Sequence, residues 1–202
     1  RKTRNLIRAI LRYLVLALIL FSVAILGIGG GLIYTCYQNM PDISSLEKFE
    51  PGETTSIYAN NGELIAELYE ENRTWVPLKK MPEYLVQAFL AIEDDKFYSH
   101  HGISIKGIIR ALWSNVREKE IAQGGSTITQ QLARNLFLNQ EQNYRRKISE
   151  ILLSIQIERK FSKDEILELY LNQIFLGAGS FGVEAASRTY FGKSVTSIDP
   201  GE

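Results

Sequence analysis

The stretch Gly124-Gly125-Ser126-Thr127-Ile128-Thr129-Gln130-Gln131-Leu132-Ala133-Arg134 decides how this chain reads. Two glycines break whatever precedes them, and Ser126 is a residue type that caps helix N-termini. A helix is therefore expected to begin at Thr127. With roughly 100° between successive helical residues, Ile128, Leu132 and Leu136 share one face, and Thr127, Gln130, Gln131 and Arg134 share another. The second face carries a hydroxyl, two amides and a guanidinium beside a helix N-terminus. That set suits a sugar and a phosphate, and it equally suits a plain solvated surface.

The helical period extends in both directions. Pro82 sits where a first helical residue would, Leu85, Phe89 and Ile92 fall on one face, and the pattern runs out at Glu93-Asp94-Asp95. A third helix covers about 145–160. A fourth opens with the capping box Ser162-Lys163-Asp164-Glu165 and continues to about Phe175. Gly177, Gly179 and Gly182 then predict a loop. Upstream of Pro82 the period is two. Thr54–Tyr58 and Glu63–Tyr69 flank Ala59-Asn60-Asn61-Gly62, a strong hairpin signal, and Thr74–Pro77 reads as a third short strand. Residues 36–53 are polar, with Pro41, Pro51 and Gly52, and read as a loop. The fold class expected is mainly α, with a small β hairpin region.

The N-terminal segment is of another kind. Tyr13 to Tyr34 is 22 residues without a charge, which as a helix spans roughly 33 Å, enough for a bilayer core. Arg1, Lys2, Arg4, Arg8 and Arg12 precede it, so the N-terminus is expected in the cytoplasm and the remainder outside. A cleaved signal peptide would have a shorter apolar run followed by a small-x-small site, and neither is present. The formal net charge of zero hides an asymmetry. Beyond residue 35 the chain holds 18 basic and 23 acidic residues, a net of −5, a poor match to nucleic acid. With Cys36 alone there is no intrachain disulfide, and one cysteine with His100 and His101 makes a poor structural zinc site.

Two further constellations could carry chemistry. In Glu93-Asp94-Asp95-Lys96-Phe97-Tyr98-Ser99-His100-His101-Gly102, acids follow an apolar helix face. Partial desolvation there would bring a carboxyl toward the range useful for acid–base work, although a solvated helix end reads the same way. In the third helix Ile148, Ile151, Leu152 and Ile155 form one apolar side, and Leu153 and Ile157 lie on the other with Arg146 and Glu150. A helix apolar on both sides is central, so Glu150 and Arg146 should be partly buried, as a structural ion pair or as catalytic groups. Two carboxylates flanking a reacting centre are usual equipment at an anomeric carbon.

Taken together, the motifs resemble those of the peptidoglycan glycosyltransferases (transglycosylases). Five blocks occur in family order: Glu93-Asp94-x-x-Phe97-x-x-His100-x-Gly102; Gly124-x-Ser126-Thr127-x-x-Gln130-Gln131; Arg146-Lys147-x-x-Glu150; Lys163-x-Glu165-Ile166-Leu167-Glu168-x-Tyr170-Leu171-Asn172; and Gly177-x-Gly179-x-x-Gly182-Val183-Glu184-Ala185-Ala186 with Tyr190-Phe191-Gly192-Lys193. The anchor and the stretch Thr54–Pro77 are most similar to class A bifunctional penicillin-binding proteins.

The resemblance implies a lysozyme-like glycosyltransferase domain over 81–202, a juxtamembrane linker with the hairpin over 36–80, an anchor over 13–35 and a cytoplasmic basic tail over 1–12. It also implies that the last helices of the domain, and a transpeptidase domain, lie beyond Glu202. The substrates implied are lipid II and the growing glycan strand, joined by β-1,4 links at the outer face of the bacterial cytoplasmic membrane. Carried over by motif, Glu93 is the general base and Glu150 the second essential carboxylate. Asp94, Phe97, His100, Gly102, Ser126, Thr127, Gln130, Gln131, Arg134, Arg146, Lys147, Glu165 and Asn172 are substrate-binding positions. No cofactor is required, a divalent cation (magnesium or manganese) assists some members, and membrane lipid and other cell-wall synthesis proteins are the remaining partners implied. A membrane-bound lysozyme-like hydrolase and a catalytically silent scaffold are the alternatives.

Overall fold

The computed structural model describes residues 2–46, 55–62, 64–68, 72–104, 107, 125–138 and 143–202. The chain divides into two compact units, Arg1–Met40 and Pro41–Glu202. The first is a single helix, α1 (Lys2–Gln38). Its segment Leu11–Gln38 has a mean hydropathy of 2.5 and is long and apolar enough to cross a membrane. The helix extends beyond the uncharged run at both ends. Ser22 and Thr35 return their hydroxyls to Leu18 O and Gly31 O one turn back, so these polar side chains stay satisfied without water.

The second unit is mainly helical. Its first pair of strands, β1 (Thr55–Tyr58) and β2 (Leu64–Leu68), is the antiparallel hairpin the alternation predicts, with Thr55 opposite Leu68 and Ile57 opposite Ala66. Gly62 N–H closes the turn on Ala59 O at 2.9 Å. The preceding linker holds a short 3-10 turn at Ile43–Leu46, where a loop was expected. The third strand also differs from expectation. It is β3 (Asn72–Arg73), pairing in parallel with β4 (Ser180–Phe181), and Thr74–Pro77 is not a strand. The reason is local. Val76 donates its N–H to Asn172 Oδ1 (2.8 Å) and its carbonyl accepts from Asn172 Nδ2 (2.9 Å), and Pro77 has no N–H to offer.

Four helices follow the sequence pattern: α2 (Glu83–Glu93), α3 (Ile128–Phe137), α4 (Tyr144–Lys160) and α5 (Lys163–Gln173). A fifth, α6 (Val183–Phe191), begins at Gly182, which has no side chain to announce a cap. Helix α3 starts one residue later than expected, with Thr127 rather than Ser126 as its N-cap. Thr127 Oγ1 accepts from Gln130 N, and Gln130 Oε1 accepts from Thr127 N at 3.0 Å. That reciprocal box outweighs a lone serine. Helix α5 opens with the box expected of Ser162 and Glu165.

The core lies where α3 packs on α4 and α5. Ile128, Leu132, Leu153, Ile157, Ile166, Leu167, Tyr170 and Leu171 are all fully buried. Each large aliphatic so placed contributes about 1.5–3 kcal/mol over its exposed state. A buried carboxylate, Glu184, secures the C-terminal part. It accepts from Val195 N (2.8 Å), Ser194 Oγ (3.0 Å) and Arg188 Nε (2.7 Å), so its charge is met by donors.

Candidate active site

Helix α2 ends because Asp94 leaves the helical region, and its carboxylate explains where that end goes. Asp94 Oδ2 accepts from Ile128 N, in the first turn of α3, at 3.1 Å. An anion at a helix N-terminus satisfies an orphan donor and opposes the helix dipole. The same oxygen meets His100 Nε2 at 2.8 Å. The end of α2 is thereby docked on the start of α3. Glu93 Oε2 then receives a hydrogen bond from Gln131 Nε2 at 2.8 Å.

Glu93 and Asp94 line a cavity of about 160 Å³ together with Ser104, Gly125, Ser126 and Thr127. Ser126 Oγ accepts from Lys147 Nζ at 2.7 Å. Lys147 also reaches Glu150 Oε2 at 2.8 Å, and Arg146 Nη1 contacts Glu150 Oε1. Glu150 is 1% exposed. A buried carboxylate of this kind persists only with such pairing, and here two cations one turn away on α4 supply it. The arrangement has a half-buried carboxylate at the cleft wall, and a hydroxyl leading to an ion cluster with more positive than negative groups. That is equipment for moving a proton next to a stabilised anion.

Other residues singled out from the sequence hold this frame. Phe97 is buried, edge-on to His100, with Lys163 Nζ 4.3 Å from its ring centroid. Gly102 has φ +82 and accepts Thr127 Oγ1 on its carbonyl at 2.7 Å. Thr127 and Gln130 are buried in the capping box of α3, so the polar face drawn on a helical projection is split: Gln130 turns into the protein and Gln131 turns to Glu93. Burial and then the Glu93 charge push the Tyr170 hydroxyl up, and Arg134, farther along α3, lies close enough to offset part of that rise. Glu165 and Asn172 are not among the residues lining the cavity. The exposed Glu165 carboxyl caps α5, held below its usual pKa by the Ser162 hydroxyl and then the Ser162 N–H. Asn172 is fully buried against Val76. Gly124 falls outside the described residues.

Two groups the sequence reading gave no role also belong here. Glu158 Oε1 accepts from Thr129 Oγ1 and from Lys163 Nζ, both at 2.6 Å, and lies 4.0 Å from His100 Nδ1. Tyr170, so far noted only within the fourth sequence block, donates its hydroxyl to Gln131 Oε1 at 3.1 Å. Outside the cavity lining, burial and the bond to Asp164 push the Tyr98 hydroxyl up to about 12. Among the described residues no three His, Cys, Asp or Glu side chains are grouped to hold a metal ion.

Residues 61–202 match the family model described as transglycosylase. The chain is 48% identical over 166 residues to penicillin-binding protein 1A of Aquifex aeolicus, covering 82% of this chain and 23% of that protein. It is 44% identical over 188 residues to penicillin-binding protein 1A of Escherichia coli strain K12, covering 91% and 22%. The corresponding values for penicillin-binding protein 1A of Rickettsia felis are 42% over 189 residues, 91% and 24%. The chain spans about a quarter of the length of the curated relatives it matches.

Proposed function

We infer the function from a plain premise: this chain belongs to the transglycosylase family. The reading it supports is a peptidoglycan glycosyltransferase that polymerises lipid II into β-1,4 glycan strands, as the glycosyltransferase part of a larger penicillin-binding protein. The observation that carries it is one continuous set of contacts. Glu93 and Ser126 line the same cleft, and Ser126 leads through Lys147 to the Glu150 and Arg146 cluster.

On this reading Glu93 takes the proton from the 4-hydroxyl of the acceptor lipid II. The freed oxygen attacks the anomeric carbon of the growing strand. The bond from that carbon to the pyrophosphate breaks, and the configuration inverts from α to β. Lys147 and Arg146, held in place by Glu150, take up the charge growing on the departing undecaprenyl pyrophosphate, with Arg134 as a further cation. Helix α1 anchors the domain in the bacterial cytoplasmic membrane with the basic N-terminus inside, because an undecaprenyl substrate never leaves the bilayer.

The test is incubation of the full-length protein in detergent with labelled lipid II. Long glycan strands are expected. Lys147→Met should lower kcat/KM about 10- to 100-fold, the loss that follows removal of a hydrogen bond to a charged group. Release of short soluble sugars from finished strands, with no polymer made from lipid II, would replace the polymerase by a hydrolase. No reaction on either substrate would leave the scaffold.

A further inference from the structure

We propose that Tyr170 is a positioning residue for Glu93, acting through the Gln131 amide. This rests on the reading of Glu93 as the base. Tyr170 is fully buried, its ring set edge-on to Phe89 of α2 at 6.4 Å between centroids. Its hydroxyl nevertheless reaches Gln131 Oε1 at 3.1 Å, and Gln131 Nε2 reaches Glu93 Oε2 at 2.8 Å. The three groups come from α5, α3 and α2.

The chemistry of the donors fixes the direction of this relay. An ionised carboxylate only accepts, so the amide must turn its NH2 end toward Glu93. That leaves the amide oxygen facing α5, where it can only accept, and the phenol is the group that donates to it. Tyr170 therefore selects one of the two amide orientations. Without the phenol proton the amide is free to turn over, and its oxygen would then face Glu93 and favour the protonated acid, which is useless as a base. Burial and then the nearby Glu93 charge push the Tyr170 hydroxyl well above its ordinary pKa, so it remains a donor across the working pH range. A buried tyrosine needed only for packing would serve equally well as phenylalanine.

Two measurements on Tyr170→Phe separate this inference from the polymerase reading. The first uses no substrate. In full-length protein carrying 15N-labelled glutamine, the Gln131 side-chain NH2 is expected to exchange slowly with water, and Tyr170→Phe should speed that exchange about tenfold. Unchanged exchange overturns the relay whether or not the protein makes polymer. The second is the pH profile of lipid II polymerisation. Tyr170→Phe should lower kcat about tenfold with KM unchanged and move the acidic limb to higher pH. In a Gln131→Ala background the same substitution should cost nothing further, because the link it acts through is gone. Equal losses in both backgrounds, or a loss confined to the melting temperature, would make Tyr170 a packing residue only. A parent that makes no polymer, with the exchange result as expected, would sink the function of the site and leave the relay standing.

Discussion

Glu93→Gln is expected to lower the rate of lipid II polymerisation about 10²–10⁴-fold, the usual worth of a general base, while the protein melts at nearly the parent temperature. The separation of the two effects follows from the geometry. Glu93 is half-buried and, among the described residues, accepts a hydrogen bond from Gln131 Nε2. A glutamine in its place has nearly the same shape and can present its amide oxygen to that donor, so the contact survives. The neighbouring Asp94, which docks α2 onto α3, is untouched. What is lost is the basic oxygen, since an amide cannot take the acceptor's proton at neutral pH. Initial rates on labelled lipid II beside a thermal melt check this. A variant that polymerises as fast as its parent would remove Glu93 from the base role, and a large drop in melting temperature would mean its side chain holds the fold instead.

The second large effect is on stability. Gly102→Ala is expected to destabilise the fold by about 3 kcal/mol, from roughly 1–2 kcal/mol for a side chain in the left-handed region and 1–3 kcal/mol for overpacking. Gly102 has φ +82, and a Cβ there would stand 2.8 Å from Ser154 O and 2.9 Å from Ser154 C, backbone atoms of α4 that cannot swing away. For a domain of this size the loss corresponds to a fall in melting temperature of about 6–12 °C. Gly192 provides the comparison. It also has positive φ, +69, but a Cβ there would meet nothing within 4 Å, so Gly192→Ala should cost only the conformational part, about 1 kcal/mol. Equal melting temperatures for the two variants would mean the contact with α4 relaxes without cost. The Gly102 variant should lose activity too, because its carbonyl holds the Thr127 hydroxyl that caps α3.

The parts legible in the sequence are those whose cause is local. Asn61-Gly62 announced the hairpin, and Ser162-x-x-Glu165 announced the start of α5, because turn and cap chemistry is written within four residues. The start of α3 was written just as locally. Thr127-x-x-Gln130 is itself a capping-box pattern, standing directly after the cap-type residue Ser126. The burial of Glu150 was legible from a helix apolar on two sides. The remaining features are long-range. Nothing near Thr74–Pro77 says that Asn172 will occupy the backbone of Val76, nor that Asn72–Arg73 will pair with Ser180–Phe181. Helix α6 had no capping side chain to mark it. Tyr170 and Glu158 look like ordinary helix residues until α3 is laid against α4 and α5.

The clasp of Asn172 on Val76 closes a separation of 96 residues, and Glu168 on Leu78 N closes one of 90. Glu93, Gln131 and Glu150 all lie inside that span. A ribosome releases the chain from its N-terminal end, so the Val76–Leu78 segment is synthesised long before the residues that secure it. The seam can be sewn only after Asn172 has emerged, and the parallel pair only after Phe181. The nascent polypeptide thus carries every candidate catalytic side chain before it possesses the enclosure that organises them, and competence arrives with the last stitch.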